Sequence, residues 1–300
     1  MKTILLTGKT GQVGHELITA LAPLGRVVVA GREQMDLTRP DSIIRCIRDT
    51  APDIIVNAAG YTSVDGAEAT PDLAAQVNAQ APGIMAEESK RRGALLVHYS
   101  TDYVFDGSHH QPYLESDAPN PINVYGKSKL AGERLIAETG CAHLILRASW
   151  IYSGHGTNFV LSMLKAARER KELFVVDDQI GSPSWARALA VTTAELLGKI
   201  TPETPTRGVY HLSAPDVVSR RDFALKIIAI AQSITGESTG WAEIKRTTTA
   251  NYPLPAARPL RATTSKEKIK RDFGIEMPGW EIQLRDFLQG HLNTPVNSRR

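Results

Sequence analysis

Short aliphatic runs alternate along the first half of the chain with stretches whose apolar positions recur every three or four residues. The runs are Thr3–Leu6, Arg26–Ala30, Ile54–Asn57, Leu95–Ser100 and Leu144–Ala148. They are almost uninterruptedly apolar, as strands covered on both faces are. Between the first two, Val13, Leu17, Ala20, Leu21 and Leu24 keep the spacing of one helical face. A second helix is expected to start near Thr38, with Pro40 in its first turn, where a missing N–H costs nothing. Doubly covered strands alternating with helices predict an α/β fold, a doubly wound parallel sheet of Rossmann type.

After Ala148 the rhythm changes. Loops rich in Pro, Gly and Ser fall at Ser153–Asn158, Asp177–Ser184, Thr201–Gly208 and Asn251–Pro259. Helical patterns return at Phe159–Arg170, Trp185–Ile200 and Arg221–Ile234, and a strand pattern at Gly208–Leu212. The expected organisation is a dinucleotide-binding domain over residues 1–150 and about 186–213. A smaller, interleaved substrate domain takes 151–185 and 214–300.

Composition narrows the class. The chain has 300 residues, 42% hydrophobic and 22% charged, with a net charge of +3, an ordinary globular balance. No block of Lys and Arg marks a nucleic-acid partner, and no apolar run approaches the roughly 20 residues that span a bilayer. The first strand runs straight into a glycine loop and is too short for an export signal, so the cytoplasm is the expected compartment. Cys46 and Cys141 make at most one bridge and are expected to be free thiols.

The first chemical signal follows the first strand. Gly8, Gly11 and Gly14 are spaced Gly-x-x-Gly-x-x-Gly and open the first helix, with Thr10, Gln12 and Val13 between them. A tight turn, a close backbone approach to pyrophosphate and close helix packing each call for a residue without Cβ. The helix start adds free amides and a positive dipole end. Lys9 is not a Walker lysine, because the Gly-Lys-Ser/Thr ending is missing. NAD sites place an acid at the tip of the second strand. Here that tip is Ala30-Gly31-Arg32, and Arg32 is a candidate partner for a 2′-phosphate. NADPH is therefore the expected cofactor, with NADH usable.

Tyr125 and Lys129 stand four apart at the start of a predicted helix and share one face. A nearby ammonium lowers a phenol's pKa, so the pair is expected to form a tuned general acid for a carbonyl oxygen. Thr101 ends the fourth strand, on the edge where parallel sheets bind ligands, and its hydroxyl is placed to bond the same carbonyl. Asn57-Ala58-Ala59-Gly60 ends the third strand in residues small enough for a cofactor to lie against.

In this order the glycine loop, Asn57-Ala58-Ala59, Thr101, Tyr125 and Lys129 resemble the extended short-chain dehydrogenases. More narrowly, the segments GKTGQVG, NAAGYTSVDGAE, YSTDYVFDG, NVYGKSKLAGE, RASWIY, GTNF, DDQIGSPS and NYPLPAARP resemble the dTDP-4-dehydrorhamnose reductase family across Gly8 to Pro259. The resemblance implies hydride transfer to the 4-keto carbon of a nucleotide-linked 6-deoxy sugar. Tyr125 would give the proton, Lys129 would hold the nicotinamide ribose and tune Tyr125, and Thr101 would orient the ketone. It implies cofactor contacts at Asp36, Leu37, Ala58, Ala59 and Tyr61. Val64, Asp65, Asp102 and Trp150 would line the sugar pocket, and Asn158, Gln179 and Arg258 would meet the diphosphate. Arg binds such a group bidentately.

Departures and rivals remain. Leu260-Arg261-Ala262 interrupts the stretch after the Arg-Pro pair, and Ser184 stands where the family has Thr. Relatives that share a magnesium ion between subunits do so through glutamates. Glu16 matches one of those positions and the others are not matched, so no required metal is expected, magnesium stays open, and a homodimer is one possible assembly. His109-His110 chelates poorly without further ligands. A 4,6-dehydratase needs Asp-Glu after the threonine, whereas Asp102 is followed by Tyr103. An epimerase is disfavoured by the Asp-Gln-x-Gly-x-Pro segment. A non-catalytic NADP-binding regulatory subunit is the rival from another class.

Overall fold

The computed structural model describes residues 1–201, 204 and 206–293, so the expected loop at 201–208 and the domain limit at 300 lie partly outside the described residues. Five strands, β1 (Lys2–Thr7), β2 (Gly25–Ala30), β3 (Ile54–Asn57), β4 (Leu95–Thr101) and β5 (His143–Ala148), join a sixth, Arg207–His211, in one sheet. Starting at Arg207–His211, the order runs through β5, β4, β3 and β1 to β2, and every neighbouring pair is parallel. The chain turns outward in opposite directions from β1, which opens a crevice at the carboxyl ends of β1 and β3.

The helices that carry the argument are α1 (Gln12–Leu21), α2 (Pro40–Thr50), α3 (Val64–Ala69), α4 (Pro71–Ala75), α5 (Ala81–Arg92), α6 (Val124–Thr139), α7 (Phe159–Glu169), α8 (Ala186–Gly198) and α9 (Arg220–Thr235). Neighbouring side chains on β1 point to opposite faces. Leu6 packs with Leu17 and Leu21 of α1 and Leu189 of α8. Leu5 packs with Ile43 and Ile47 of α2, Met85 of α5 and Ile136 of α6. Both faces are thus dry, which is why the strands lack a polar face. Each such fully buried aliphatic contributes about 1.5–3 kcal/mol. Pro40 takes the first position of α2, as expected.

A separate apolar cluster joins Tyr152, Phe223, Ile227, Trp280, Leu284 and Phe287 beside the carboxyl edge of the sheet. Next to it, Glu172–Val176 pairs in parallel with Glu243–Thr247. Glu243–Thr247 carries three charged residues and Glu172–Val176 begins with one, so neither stands out as a long apolar run. A π-helical turn, Gln76–Gln80, links α4 to α5. It brings the Asn78 carbonyl against α6, where a Cβ on Gly132 would lie 2.1 Å from that oxygen.

Candidate active site

The glycine loop is built as a cradle. Gly8 has φ +81°, and a Cβ there would stand 2.6 Å from the Ala58 carbonyl group. A Cβ on Gly14 would stand 2.0 Å from the Gly8 oxygen, so Gly14 serves the packing of α1 against the loop. Above the loop opens a cavity of about 570 Å³ lined by Gly8, Thr10, Gly11, Gln12, Val13, Ala58 and Ala59. These residues present backbone amides and little bulk, and they fit the pyrophosphate of a dinucleotide.

The tip of β2 is arranged less simply than expected. Arg32 is 83% exposed and lies 3.9 Å from Asp36. The Asp36 carboxylate accepts from the Thr38 amide and hydroxyl, which hold it below the usual carboxylate range. Lys9 folds over the same tip, where a Cβ on Gly31 would meet its Cε at 2.9 Å. Leu37 packs under the sheet. The Tyr61 amide donates to Asn78 Oδ1, and its hydroxyl accepts from Thr70. None of Arg32, Asp36, Leu37 and Tyr61 lines the cavity.

Thr101, Tyr125 and Lys129 line the same cavity, brought there by the end of β4 and the first turns of α6. Asn123 caps α6 by accepting from the Gly126 amide at 2.7 Å, which fixes the turn that carries Tyr125. The Thr101 hydroxyl donates to Asp102 at 3.1 Å and accepts from the Tyr103 amide. Burial pushes the Tyr125 phenol above its usual value, against a lowering contribution from the Thr101 hydroxyl. This corrects the expectation that Lys129 tunes Tyr125 downward. The Lys129 ammonium is drawn under β4 instead, donating to the Tyr99 carbonyl at 2.6 Å and meeting His98 Nε2 at 3.0 Å. Burial lowers Lys129 to about 8 and raises Asp102 to about 6. The Ser149 hydroxyl donates to Asp102 at 2.6 Å.

On the far side of the cavity stand Val64, Asp102, Tyr103, Trp150 and Arg220. Trp150 has φ +41°. A Cβ on Gly181 would come within 2.4 Å of the Trp150 ring, so only glycine admits the indole there. The other predicted substrate residues are engaged within the chain. Arg258 forms a two-pronged ion pair with Asp65 at 2.9 and 2.7 Å, which lowers the Asp65 pKa. Asn158 caps α7 and donates to the Ser153 carbonyl, while Gln179 donates to Thr249. Asp65, Asn158, Gln179 and Arg258 do not line the cavity. Sequence reasoning gave no site role to His98, Asn78, Tyr103 and Arg220, of which only Tyr103 lies in a quoted segment. Only the capping serine before Arg220 announces a helix start.

Glu16 forms an ion pair with Arg187 at 2.9 Å. Among the described residues no group of three or more His, Cys, Asp or Glu is arranged to hold a metal ion. His109 stacks on Tyr113. Cys46 and Cys141 are free thiols.

A glycine cradle at the switch point of a parallel sheet, opening on a Thr, Tyr and Lys in one cavity, defines an oxidoreductase of the short-chain dehydrogenase/reductase type. The family model described as the RmlD substrate binding domain matches residues 1–292. The chain is 45% identical over 294 residues to a dTDP-4-dehydrorhamnose reductase from Burkholderia thailandensis, covering 95% of this chain and 99% of that one. The identity to the Escherichia coli K12 enzyme of the same name is 40%, covering 97% and 98%. A dTDP-4-dehydrorhamnose reductase from Bacillus anthracis, solved in complex with NADP, superposes with a TM-score of 0.87 at 34% identity over 95% of this chain and 98% of that one. The chain belongs to the RmlD family, the dTDP-4-dehydrorhamnose reductases. A Thermus thermophilus UDP-glucose 4-epimerase, 18% identical with a TM-score of 0.79, shares the fold.

Proposed function

We propose that the protein reduces the 4-keto group of dTDP-4-dehydro-L-rhamnose to dTDP-L-rhamnose, with NADPH as the preferred donor and NADH usable. The observation that carries this is the convergence of Thr101, Tyr125 and Lys129 on one cavity with the glycine cradle. NADPH, when bound, would be the source of the hydride for the ketone carbon. Tyr125, kept protonated by burial, gives its proton to the developing alkoxide. Thr101 turns its hydroxyl from Asp102 to the same oxygen and orients it. Lys129, anchored on the Tyr99 carbonyl, holds the ribose and keeps a cation near the forming charge. Val64, Asp102 and Trp150 shape the sugar pocket. Asp65 and Arg258 act as a joined pair, Asn158 braces the Ser153 loop and Gln179 bonds Thr249.

Residues 1–150 and about 186–213 form the dinucleotide-binding domain in this reading, with the remainder as substrate domain. No helix among the described residues is long and apolar enough to cross a membrane. A cytoplasmic enzyme without a required metal is the reading proposed, with a homodimer as the assembly to test. The test supplies dTDP-4-dehydro-L-rhamnose with NADPH or NADH and identifies the product by NMR. A rhamnose product is expected. NADPH binding without turnover would make the protein a regulatory subunit, and a 6-deoxytalose product would reverse the facial assignment.

A further inference from the structure

Arg220 opens α9 directly after its cap, Ser219. Its backbone amide donates to the Gln179 carbonyl at 3.0 Å, and Val218–Ser219 pairs with Ile180–Gly181, so two elements fix its position. The guanidinium lies flat on Trp150, 3.5 Å from the ring centre, with Phe159 at 4.9 Å on the same cation. Gly181 lies against the same indole and leaves no room there for a Cβ. Arg220 and Trp150 both line the cavity that holds Thr101 and Tyr125.

The charge on Arg220 is unmatched, unlike that of its neighbours. Arg258 is taken by Asp65 and Arg147 by Glu133, whereas no carboxylate among the described residues lies within ion-pair distance of Arg220. Burial works against its charge, and Asp102 and the Tyr103 hydroxyl offset this only from a distance or through one neutral bond. A stacked, partly desolvated guanidinium with free in-plane N–H groups is suited to an anion bound edge-on. The cofactor's own anion belongs at the glycine cradle, across the cavity. The group left for Arg220 is an anion on the substrate.

Building on the function proposed above, we infer that Arg220 is the cation that recognises the diphosphate of the nucleotide sugar, with Trp150 as its rigid support. Arg258, already neutralised, serves to hold Asp65. The chain would thereby favour nucleoside diphosphate esters over uncharged sugars.

The full chain is titrated with dTDP and, separately, with thymidine by calorimetry. NADPH affinity serves as the check of folding in each variant. Arg220→Gln is expected to weaken dTDP about 10- to 100-fold, the range for one charge-assisted contact, and to leave thymidine and NADPH unchanged. Arg220→Lys keeps the charge but loses the flat stack, and is expected to fall between the two. If Arg220→Gln is too unstable to titrate, the lysine variant decides. A dTDP affinity within twofold of the original in the folded variant overturns the assignment and leaves the proposed reductase standing. Failure of the unaltered protein to bind dTDP at all overturns both.

Discussion

His98 Nε2 and Lys129 Nζ lie 3.0 Å apart beneath the end of β4, and the hydrogen atoms between them can be counted. Asn57 Oδ1 accepts from the Thr7 hydroxyl and the Ala59 amide, so its NH2 faces His98 Nδ1. A neutral His98 then carries its proton on Nε2 and points it at Lys129. An ammonium cannot accept that bond, but an amine can. Burial lowers both groups, His98 far below its usual value and Lys129 to about 8. Burial and this contact both work against the Lys129 charge, which a pKa of about 8 still leaves on the amine at neutral pH, beside a neutral His98.

Lys129→Met should therefore separate stability from activity. Lys129 has its ordinary 10.5 when unfolded and about 8 when folded, so its charge opposes folding fully below pH 8. Between pH 8 and 10.5 the folded state sheds the proton first, and the penalty fades as pH rises. The variant should be more stable at pH 7 by on the order of 1–3 kcal/mol, less whatever the lost Tyr99 bond contributed. The gain should shrink towards pH 10. Urea midpoints at the two pH values check the sign, and a gain that grows with pH would refute it. Turnover and NADPH affinity should both fall.

Tyr125→Phe removes the proposed proton donor and keeps the ring, which meets Tyr103 edge-on at 5.8 Å. Turnover should drop at least ~100-fold, the low end for general acid catalysis, with NADPH affinity retained. Single-turnover kinetics with the keto sugar decide it. Near-normal rates would remove Tyr125 from the chemistry.

Two cations at the tip of β2, Arg32 and Lys9, are the candidates for setting the proposed NADPH preference. Arg32 is 83% exposed and shared with Asp36, so solvent screening limits it to about 1 kcal/mol or less, roughly fivefold in affinity. Lys9 is held against Gly31 in the cradle itself. Arg32→Ala should reduce the ratio of NADPH to NADH affinity by no more than that factor, and Lys9→Met should reduce it further. Fluorescence titration of both cofactors measures the ratio. No change in either variant would place the selectivity elsewhere.

Glu133 and Arg147 form an ion pair with 4% and 3% of their side chains exposed, and Ser100 donates to the same carboxylate. Removing one partner leaves a buried charge. Glu133→Ala should cost about 3–5 kcal/mol, whereas the apolar double variant Glu133→Leu/Arg147→Met should recover most of it. Chemical denaturation of the three proteins checks the ordering. Equal losses in the single and double variants would show that the pair itself, not the orphaned charge, stabilises the fold.

The amino-acid sequence alone determined what depends on short-range pattern. Five strands were legible because each is apolar on both faces, and the cradle was legible because Gly8 and Gly14 tolerate no Cβ. Thr101, Tyr125 and Lys129 were legible from their places at a strand end and on one helix face. The tertiary structure decided what depends on long-range partners. It gave Lys129 the Tyr99 carbonyl and His98 as its partners beneath β4. It joined Asp65 to Arg258 across 193 positions of chain. It also set Arg220 on Trp150 through a pairing of two-residue strands. Such contacts have no period, so their partners become visible only when the folded chain brings them together.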